Sequence, residues 1–309
     1  MSIAFLGPAG TFTESALRQI EPDPAHHLPV ASVPAALAAV RDGRAASAVV
    51  PIENSVEGGV TATLDALAEG TELRICAEML VPIRFALVAL RPMELSQVRA
   101  VATHSHAWAQ VRGWVQENMP EVEYIPASST AAGALGLLAS GEAAGYDAAI
   151  CSPAILAAHP ELTVLADDIG DNRAAVTRFV QVAEPGEQLP ERTGSDRTTL
   201  VIPLWSDRAG ALLEILEQFS TRGVNLSRIE SRPTGASLGD YFFSVDLDGH
   251  ILDERVSEAV VGLRRICPTT RFLGSYPRAE QGVTEVEGRH TDGAFRQARD
   301  WVQQLREGR

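Results

Sequence analysis

Lysine is absent from this 309-residue chain, so all 26 basic residues are arginine. Schiff-base chemistry, pyridoxal-phosphate catalysis through a lysine and a phosphate loop with its lysine are thereby excluded. Cysteine is scarce: Cys76, Cys151 and Cys267 lie far apart, one per apolar stretch, with no C-x-x-C pair. Buried thiols in a reducing cytosol account for them more simply than disulfides or a metal site. No apolar run reaches membrane-spanning length, and Met1 leads straight into the strand-like Ser2 to Leu6 without a signal peptide. A cytoplasmic protein is expected. Positive charge is in deficit too, and the formal net charge of −14 disfavours nucleic acid and anionic membranes as partners. An anionic substrate would have to be held by local donors against the overall field.

What is present is led by the run from Ala48 to Gly59, AVVPIENSVEGG. Apolar residues sufficient for a buried strand break at Pro51 into Glu53, Asn54, Ser55 and Glu57, and two glycines then open a helix over Val60–Ala68. Polar groups at the C-terminal end of a buried strand sit where α/β proteins place their ligands. Amide, hydroxyl and carboxylate together suit a small, oxygen-rich molecule.

Short apolar runs alternate with helical patterns through the first 180 or so residues. Strands are expected at Ile3–Leu6, Leu28–Ala31, Ala48–Val50, Arg84–Ala89, Val98–Ala102, Glu123–Ile125, Ala148–Cys151 and Arg178–Val182. Helices are expected at Val33–Arg41, capped by Ser32, and at Ser129–Ala139, capped by Ser128 or a neighbour. This rhythm predicts an α/β fold with parallel sheets. The apolar stretch Leu73–Leu90, broken by Pro82, reads as a strand crossing between two lobes, with Thr177–Val182 returning. The first domain is therefore expected over 1–184, with lobe one at about 1–80 plus 177–184 and lobe two at about 81–176.

Residues 185–196, rich in Pro, Gly and charge, read as a linker. Residues 197–278 then follow a β-α-β-β-α-β order, which is ferredoxin-like and leaves a sheet free to pair with a copy of itself. The tail, 279–309, is polar and carries Phe295, Ala298, Trp301, Val302 and Leu305 at helical spacing. A helix docking on its own body explains that spacing more simply than a partner-binding peptide.

Other strand ends carry polar groups as well. Gly7 to Glu14 forms a turn before a helix and reads equally as an anion site or as a structural turn. His104 and His106 invite a zinc reading, but the remaining histidines show no ligand spacing and no metal is expected. Hydroxyls at Ser128, Ser129 and Thr130 serve either capping or ligand contact. Thr177 and Arg178 enter an apolar strand, and a buried arginine there pairs with a carboxylate, either internal or from a ligand.

Taken in order, these residues resemble prephenate dehydratase. The likeness is carried by Gly7-Pro-Ala-Gly-Thr-Phe12, by Pro51-Ile-Glu-Asn-Ser55 with Glu57-Gly58 and Thr63-Leu-Asp65, and by Thr177-Arg-Phe179. Gly210-Ala-Leu-Leu213 and Glu230-Ser-Arg-Pro233 resemble the two effector motifs of that family's ACT domain. The family's usual Ser-His-Pro-Gln run is Thr103-His104-Ser105-His106 here, and Ala175 and Val176 stand where an Asn often precedes Thr-Arg-Phe.

The resemblance implies a two-lobed, periplasmic-binding-protein-like catalytic domain followed by a ferredoxin-like ACT domain, in the monofunctional form. It implies conversion of prephenate to phenylpyruvate in phenylalanine biosynthesis without a cofactor, inhibition by L-phenylalanine, and a homodimer or homotetramer. Thr177 matches the catalytic threonine, with Asn54, Ser55, Thr103, Gln110, Thr130 and Arg178 holding substrate. Gly210, Ala211, Leu212, Leu213, Asn225, Leu226, Glu230, Ser231, Arg232 and Pro233 are the expected effector contacts. An arogenate dehydratase, a solute-binding receptor and a non-catalytic amino-acid sensor are the competing readings.

Overall fold

The structure, a computed structural model, describes residues 2–186, 188–204, 208–235, 239–280, 282 and 285–308. Glu187 of the expected linker, and residues 281, 283, 284 and 309 of the tail, lie outside them. The chain begins β1 (Ile3–Leu6), α1 (Phe12–Leu17), β2 (His27–Val30), α2 (Val33–Arg41), β3 (Ser47–Asn54), β4 (Gly58–Gly59), α3 (Thr61–Ala68) and β5 (Arg74–Pro82). It continues β6 (Ala86–Ala89), β7 (Ala100–Thr103), α4 (Ser105–Asn118), β8 (Glu123–Pro126), α5 (Thr130–Ser140), β9 (Ala148–Cys151), β10 (Thr163–Ala166) and β11 (Val176–Ala183). The C-terminal part is β12 (Asp196–Pro203), α6 (Ala211–Ser220), β13 (Leu226–Pro233), β14 (Tyr241–Asp248), α7 (Glu254–Ile266), β15 (Arg271–Pro277) and α8 (Asp292–Arg306).

Local chemistry explains where these elements start. The Ser32 hydroxyl accepts from the Ala35 amide at 3.2 Å, and Pro34 follows at a position whose N–H has no helical partner anyway. Val33, Ala36, Leu37 and Val40 then recur at helical spacing and are buried. In α5 the cap is Ser129, which accepts from Ala132 at 3.0 Å.

Three sheets result. One has the order β2-β1-β3-β11-β5, with β4 paired to β3; a second has the order β10-β6-β9-β7-β8; the third is β13-β14-β12-β15. The first two form the two lobes of an α/β, periplasmic-binding-protein-like domain, and the third is the ferredoxin-like sheet. The expectation of parallel sheets needs correction. β1 is parallel to β2 and β3, and β7 to β8 and β9, but β6 is antiparallel to both β9 and β10. Strand direction leaves no trace in fully buried runs such as Ala86–Ala89 and Ala148–Cys151, because both faces are covered either way.

The chain forms two compact units. The first is residues 1–60 with 79–179, and the second is residues 61–78 with 180–309. In the first unit, Leu87, Val101, Val111 and Ile150 centre a core between the second sheet and α4, and Ala131, Ala134 and Leu137 of α5 pack on the other side with Val88 and Cys151. In the second unit, α6 and α7 cover one face of the antiparallel sheet through Leu200, Ile215, Phe219, Val245, Val256 and Leu263.

Segment 61–78, expected in the first domain, packs within the second unit. Its reasons are polar and close. Glu78 pairs with Arg197 and accepts from the Ala279 amide at 3.1 Å, while Arg74 bonds the Phe272 carbonyl and lies 5.0 Å over the Phe272 ring. Gly274, at φ +137°, brings β15 against Ile75, where a Cβ would collide with the Ile75 carbonyl oxygen. Helix α8 touches its own unit, but through charge: Asp292 pairs with Arg192 at 2.9 Å and accepts from the Glu254 amide at 2.9 Å. Trp301, Val302 and Leu305 stay exposed. Among the described residues no helix is long and apolar enough to cross a membrane.

Gly274→Ala should destabilise by about 2–4 kcal/mol, since backbone angle and contact both oppose it. Gly43→Ala, at φ +69° but facing open space, should cost only about 1–2 kcal/mol. Urea denaturation midpoints check the ranking, and equal losses would remove the role given to the Ile75 contact.

Candidate active site

Three elements of the first unit converge on the Asn54 side chain. β3 ends at Asn54, and the turn to β4 folds back so that its Oδ1 accepts from the backbone amides of Val56 at 2.8 Å and Glu57 at 3.2 Å. An Asn side chain closing its own turn in this way is a common local motif. With the oxygen so occupied, the amide nitrogen must point outward, and Nδ2 donates to Thr177 Oγ1 at 2.8 Å. A hydroxyl that accepts there keeps its own hydrogen to give to something else. Ser55 braces the same junction: its amide donates to the Val176 carbonyl at 2.9 Å, and its Oγ accepts from the Val176 amide at 3.0 Å.

Arg178, next on β11, is buried, and its Nε and Nη2 both lie 3.0 Å from Glu53 Oε2. The internal carboxylate anticipated as one option is thus Glu53. The pair holds the guanidinium in place.

α4 supplies the facing wall. His106 Nδ1 bonds Glu57 Oε2, and Gln110 Nε2 approaches Glu57 Oε1 at 3.4 Å. Gln110 Oε1 is buried without a hydrogen-bond partner among the described residues, an acceptor left for a ligand's hydroxyl or a water. The His104 and His106 rings stack with centroids 5.1 Å apart, and His104 Nδ1 caps α4 by accepting from the His106 amide at 3.3 Å. Glu57 belongs to the polar cluster read from the sequence, but its bonds to His106 and Gln110 were not anticipated. Its place three residues after Asn54, inside the turn that Asn54 closes, was the available signal.

Two other expected substrate contacts lie differently. Thr103 is fully buried, and its hydroxyl donates to the Ile150 carbonyl at 2.7 Å, which ties β7 to β9 and leaves no surface for a ligand. Thr130 is half-buried at the first position of α5, behind the Ser129 cap. At the first turn, the amide of Gly10 donates to the protein's own Glu14 carboxylate, which also pairs with Arg18 at 2.8 Å. That turn is structural, with a carboxylate already where an anion would sit.

In the second unit, a cavity of about 480 Å³ opens beside the N-terminus of α6. Gly210, Ala211, Leu212, Leu213 and Ser231 line it, together with Leu204, Arg208, Leu216, Tyr241 and Phe243. The remaining expected effector contacts lie elsewhere in the chain. Asn225 Nδ2 donates to Asp248 Oδ2 at 2.7 Å, and Leu226 packs against the sheet–helix core. Arg232 grips Asp65 of α3 with two bonds of 2.9 Å each. Glu230 shares the Arg232 face of β13, and Pro233 ends that strand.

Comparison with known proteins divides the chain by sequence position, with segment 61–78 in the N-terminal part. The family model described as prephenate dehydratase matches residues 3–187, and that of the ACT domain matches residues 200–265. A prephenate dehydratase of Amycolatopsis methanolica is 42% identical over 306 residues, covering 99% of this chain and 98% of that one. The solved prephenate dehydratase of Arthrobacter aurescens, in complex with L-Phe, is 58% identical with a TM-score of 0.93, covering 99% of this chain and 100% of that chain. GqqA, described as a novel type of quorum quenching acylase, is 29% identical with a TM-score of 0.77, covering 90% of this chain and 98% of its own. One fold thus accompanies different chemistries, and the residues at the strand ends must decide.

Burial, with His106 beside it, holds His104 below its ordinary value of 6.5, and Glu57 opposes that only in part. As pH falls through about 6.5 the unfolded chain takes up a proton that folded His104 refuses, so stability declines until the folded ring protonates in turn. His104→Asn keeps a capping acceptor and removes the titration. Its denaturation midpoint should drop less than that of the wild type between about pH 7 and about pH 5. Parallel declines would show that another group sets the slope.

Proposed function

This chain belongs to the prephenate dehydratase family, and on that premise we propose that it converts prephenate to phenylpyruvate, CO2 and water. The observation that carries the proposal is the oriented pair of Asn54 and Thr177. In this reaction the ring carboxylate leaves as CO2, its electrons move through the diene, and the 4-hydroxyl departs as the ring becomes aromatic. One proton is consumed at the leaving oxygen. The site must therefore offer a donor to that oxygen, a rigid grip on the rest of the dianion and a dry setting for the departing carboxylate.

Thr177 supplies the donor. Because Asn54 holds its oxygen as an acceptor, the hydroxyl hydrogen is directed away from Asn54 and toward the substrate. A threonine hydroxyl is too weak an acid to give the proton up outright, so it stabilises the leaving oxygen by hydrogen bonding while a more acidic group or water delivers the proton. Gln110, whose buried carbonyl oxygen has no partner among the described residues, accepts from a substrate hydroxyl. Ser55 holds the Thr177 strand in register.

Arg178 has a different task. A strong ion pair to the ring carboxylate would stabilise the ground state more than a transition state in which that charge is vanishing. The guanidinium, held by Glu53, instead serves the pyruvyl carboxylate, whose charge persists. In the second unit, L-phenylalanine occupies the cavity at the α6 N-terminus, with its carboxylate on the backbone amides of Leu212 and Leu213 and its ring against Leu216, Tyr241 and Phe243. A homodimer or homotetramer belongs to the same proposal: β13 ends its sheet, and its outer edge is offered to a second copy.

Purified protein should form phenylpyruvate from prephenate, and L-phenylalanine should inhibit it. Arogenate assayed in parallel decides between the two substrates, and no turnover of either would leave an amino-acid sensor. Thr177→Ala should lower kcat by about 100-fold or more; a loss of only a few fold would reduce Thr177 to packing. Arg178→Met should raise KM by a larger factor than it lowers kcat. The reverse pattern would transfer the arginine to the reacting carboxylate.

A further inference from the structure

Ser231 and Arg232 are neighbours on β13, and the pleat sends them to opposite faces of the sheet. Ser231 pairs with Phe243, and both line the cavity on the side covered by α6 and α7. Arg232 pairs with Phe242 and projects from the other face, where Nε meets Asp65 Oδ1 and Nη2 meets Asp65 Oδ2, each at 2.9 Å. The same face carries Arg228, bonded to Asp246 at 2.9 and 3.1 Å and to Ser244 at 2.9 Å, so the strand is stiffened four residues away. A planar guanidinium meeting a carboxylate in this two-bond fork fixes distance and angle together.

Asp65 belongs to α3, which begins at Thr61, directly after the Asn54–Gly59 turn. That turn is tied together by β4, whose Gly58 and Gly59 pair with Asn54 and Glu53, and by the Val60 amide, which donates to the Ile52 carbonyl at 2.9 Å. The peptide chain therefore leads from the Arg232 contact back to the residue that orients Thr177.

We propose that Arg232 and Asp65 are positioning residues that couple the cavity beside α6 to the Asn54 turn, and that Arg232 transmits occupancy of that cavity without itself binding the occupant. Filling the cavity displaces Ser231 and twists β13, and the fork carries the displacement into α3. The inference rests on the functional reading above and deepens its regulation. A rigid two-point grip suits transmission because it moves as a unit, whereas a single bond would pivot. Coupling of this kind has a magnitude that one contact can hold, since typical allosteric factors lie between about 5 and about 150.

The test uses the full chain and two readouts, prephenate turnover against L-phenylalanine concentration and direct calorimetric binding of L-phenylalanine. Wild type is measured first. Absence of turnover or of inhibition there overturns the functional reading, and this inference with it. In Asp65→Asn, half-inhibition should require about tenfold more L-phenylalanine or become incomplete, while the calorimetric affinity without prephenate changes less than about threefold. The exchanged variant, Asp65→Arg with Arg232→Asp, should recover at least part of the inhibition, an outcome that a purely structural contact would not single out.

Inhibition in Asp65→Asn equal to wild type, where wild type is active and inhibited, overturns the coupling alone. Loss of L-phenylalanine binding in Asp65→Asn overturns it too, because Asp65 would then belong to the binding site. Should Asp65→Asn fold poorly, Asp65→Glu serves: its longer arm should alter the half-inhibitory concentration by several fold with binding retained, and an unchanged value overturns the proposal.

Discussion

The arrangement depends on a single amide held the right way round. Two backbone N–H groups of the Asn54 turn occupy its oxygen, so its nitrogen has one direction left, and that direction meets Thr177. Hydrogen-bond bookkeeping, not acidity, then underlies the role proposed for the threonine. A hydroxyl rotates freely in water and donates wherever it finds an acceptor; here its acceptor function is already taken, and the entropy of aligning the donor is met by the fold before substrate arrives. Ser55 clasping Val176 and Glu53 holding Arg178 serve the same end from either side, since both keep β11 in fixed register with β3.

Much of this could be read from residue order. The polar cluster after the β3 run, the helix capped at Ser32 and the β-α-β-β-α-β order of the C-terminal part all have short-range causes: side-chain alternation, capping hydroxyls and glycine turns. What escaped depends on partners far along the chain. The bond of Glu57 to His106 spans 49 positions, and those of Glu78 to Arg197 and of Asp65 to Arg232 span 119 and 167. Thr103 shows a third limit. Its position at a strand end suggests a ligand contact, whereas the neighbouring β9 carbonyl shows that its hydroxyl is used internally.

The ferredoxin-like sheet is unusual in what its second face carries. One side is an ordinary apolar seat for two helices, while the other holds Arg228, Asp246, Thr199 and Tyr276 in a buried polar network. Such a face gains less from hydrophobic burial than an aliphatic one, but it admits partners only in defined orientations, because each unmet group would be costly. Segment 61–78 adds specific bonds from Asp65, Arg74 and Glu78 to the burial of its Leu64, Leu67, Leu73 and Ile75 side chains. Registration on that face is accordingly more exact than an oily contact would enforce.

The guanidinium groups in these contacts also stand in for every side-chain amine the protein might have had. Arg178, Arg228 and Arg232 each engage a carboxylate through two nitrogens, a geometry that an ammonium group on a flexible stem does not reproduce. Reagents that couple to ε-amines find no target anywhere in this chain, so tethering through that chemistry would leave all of these forks untouched.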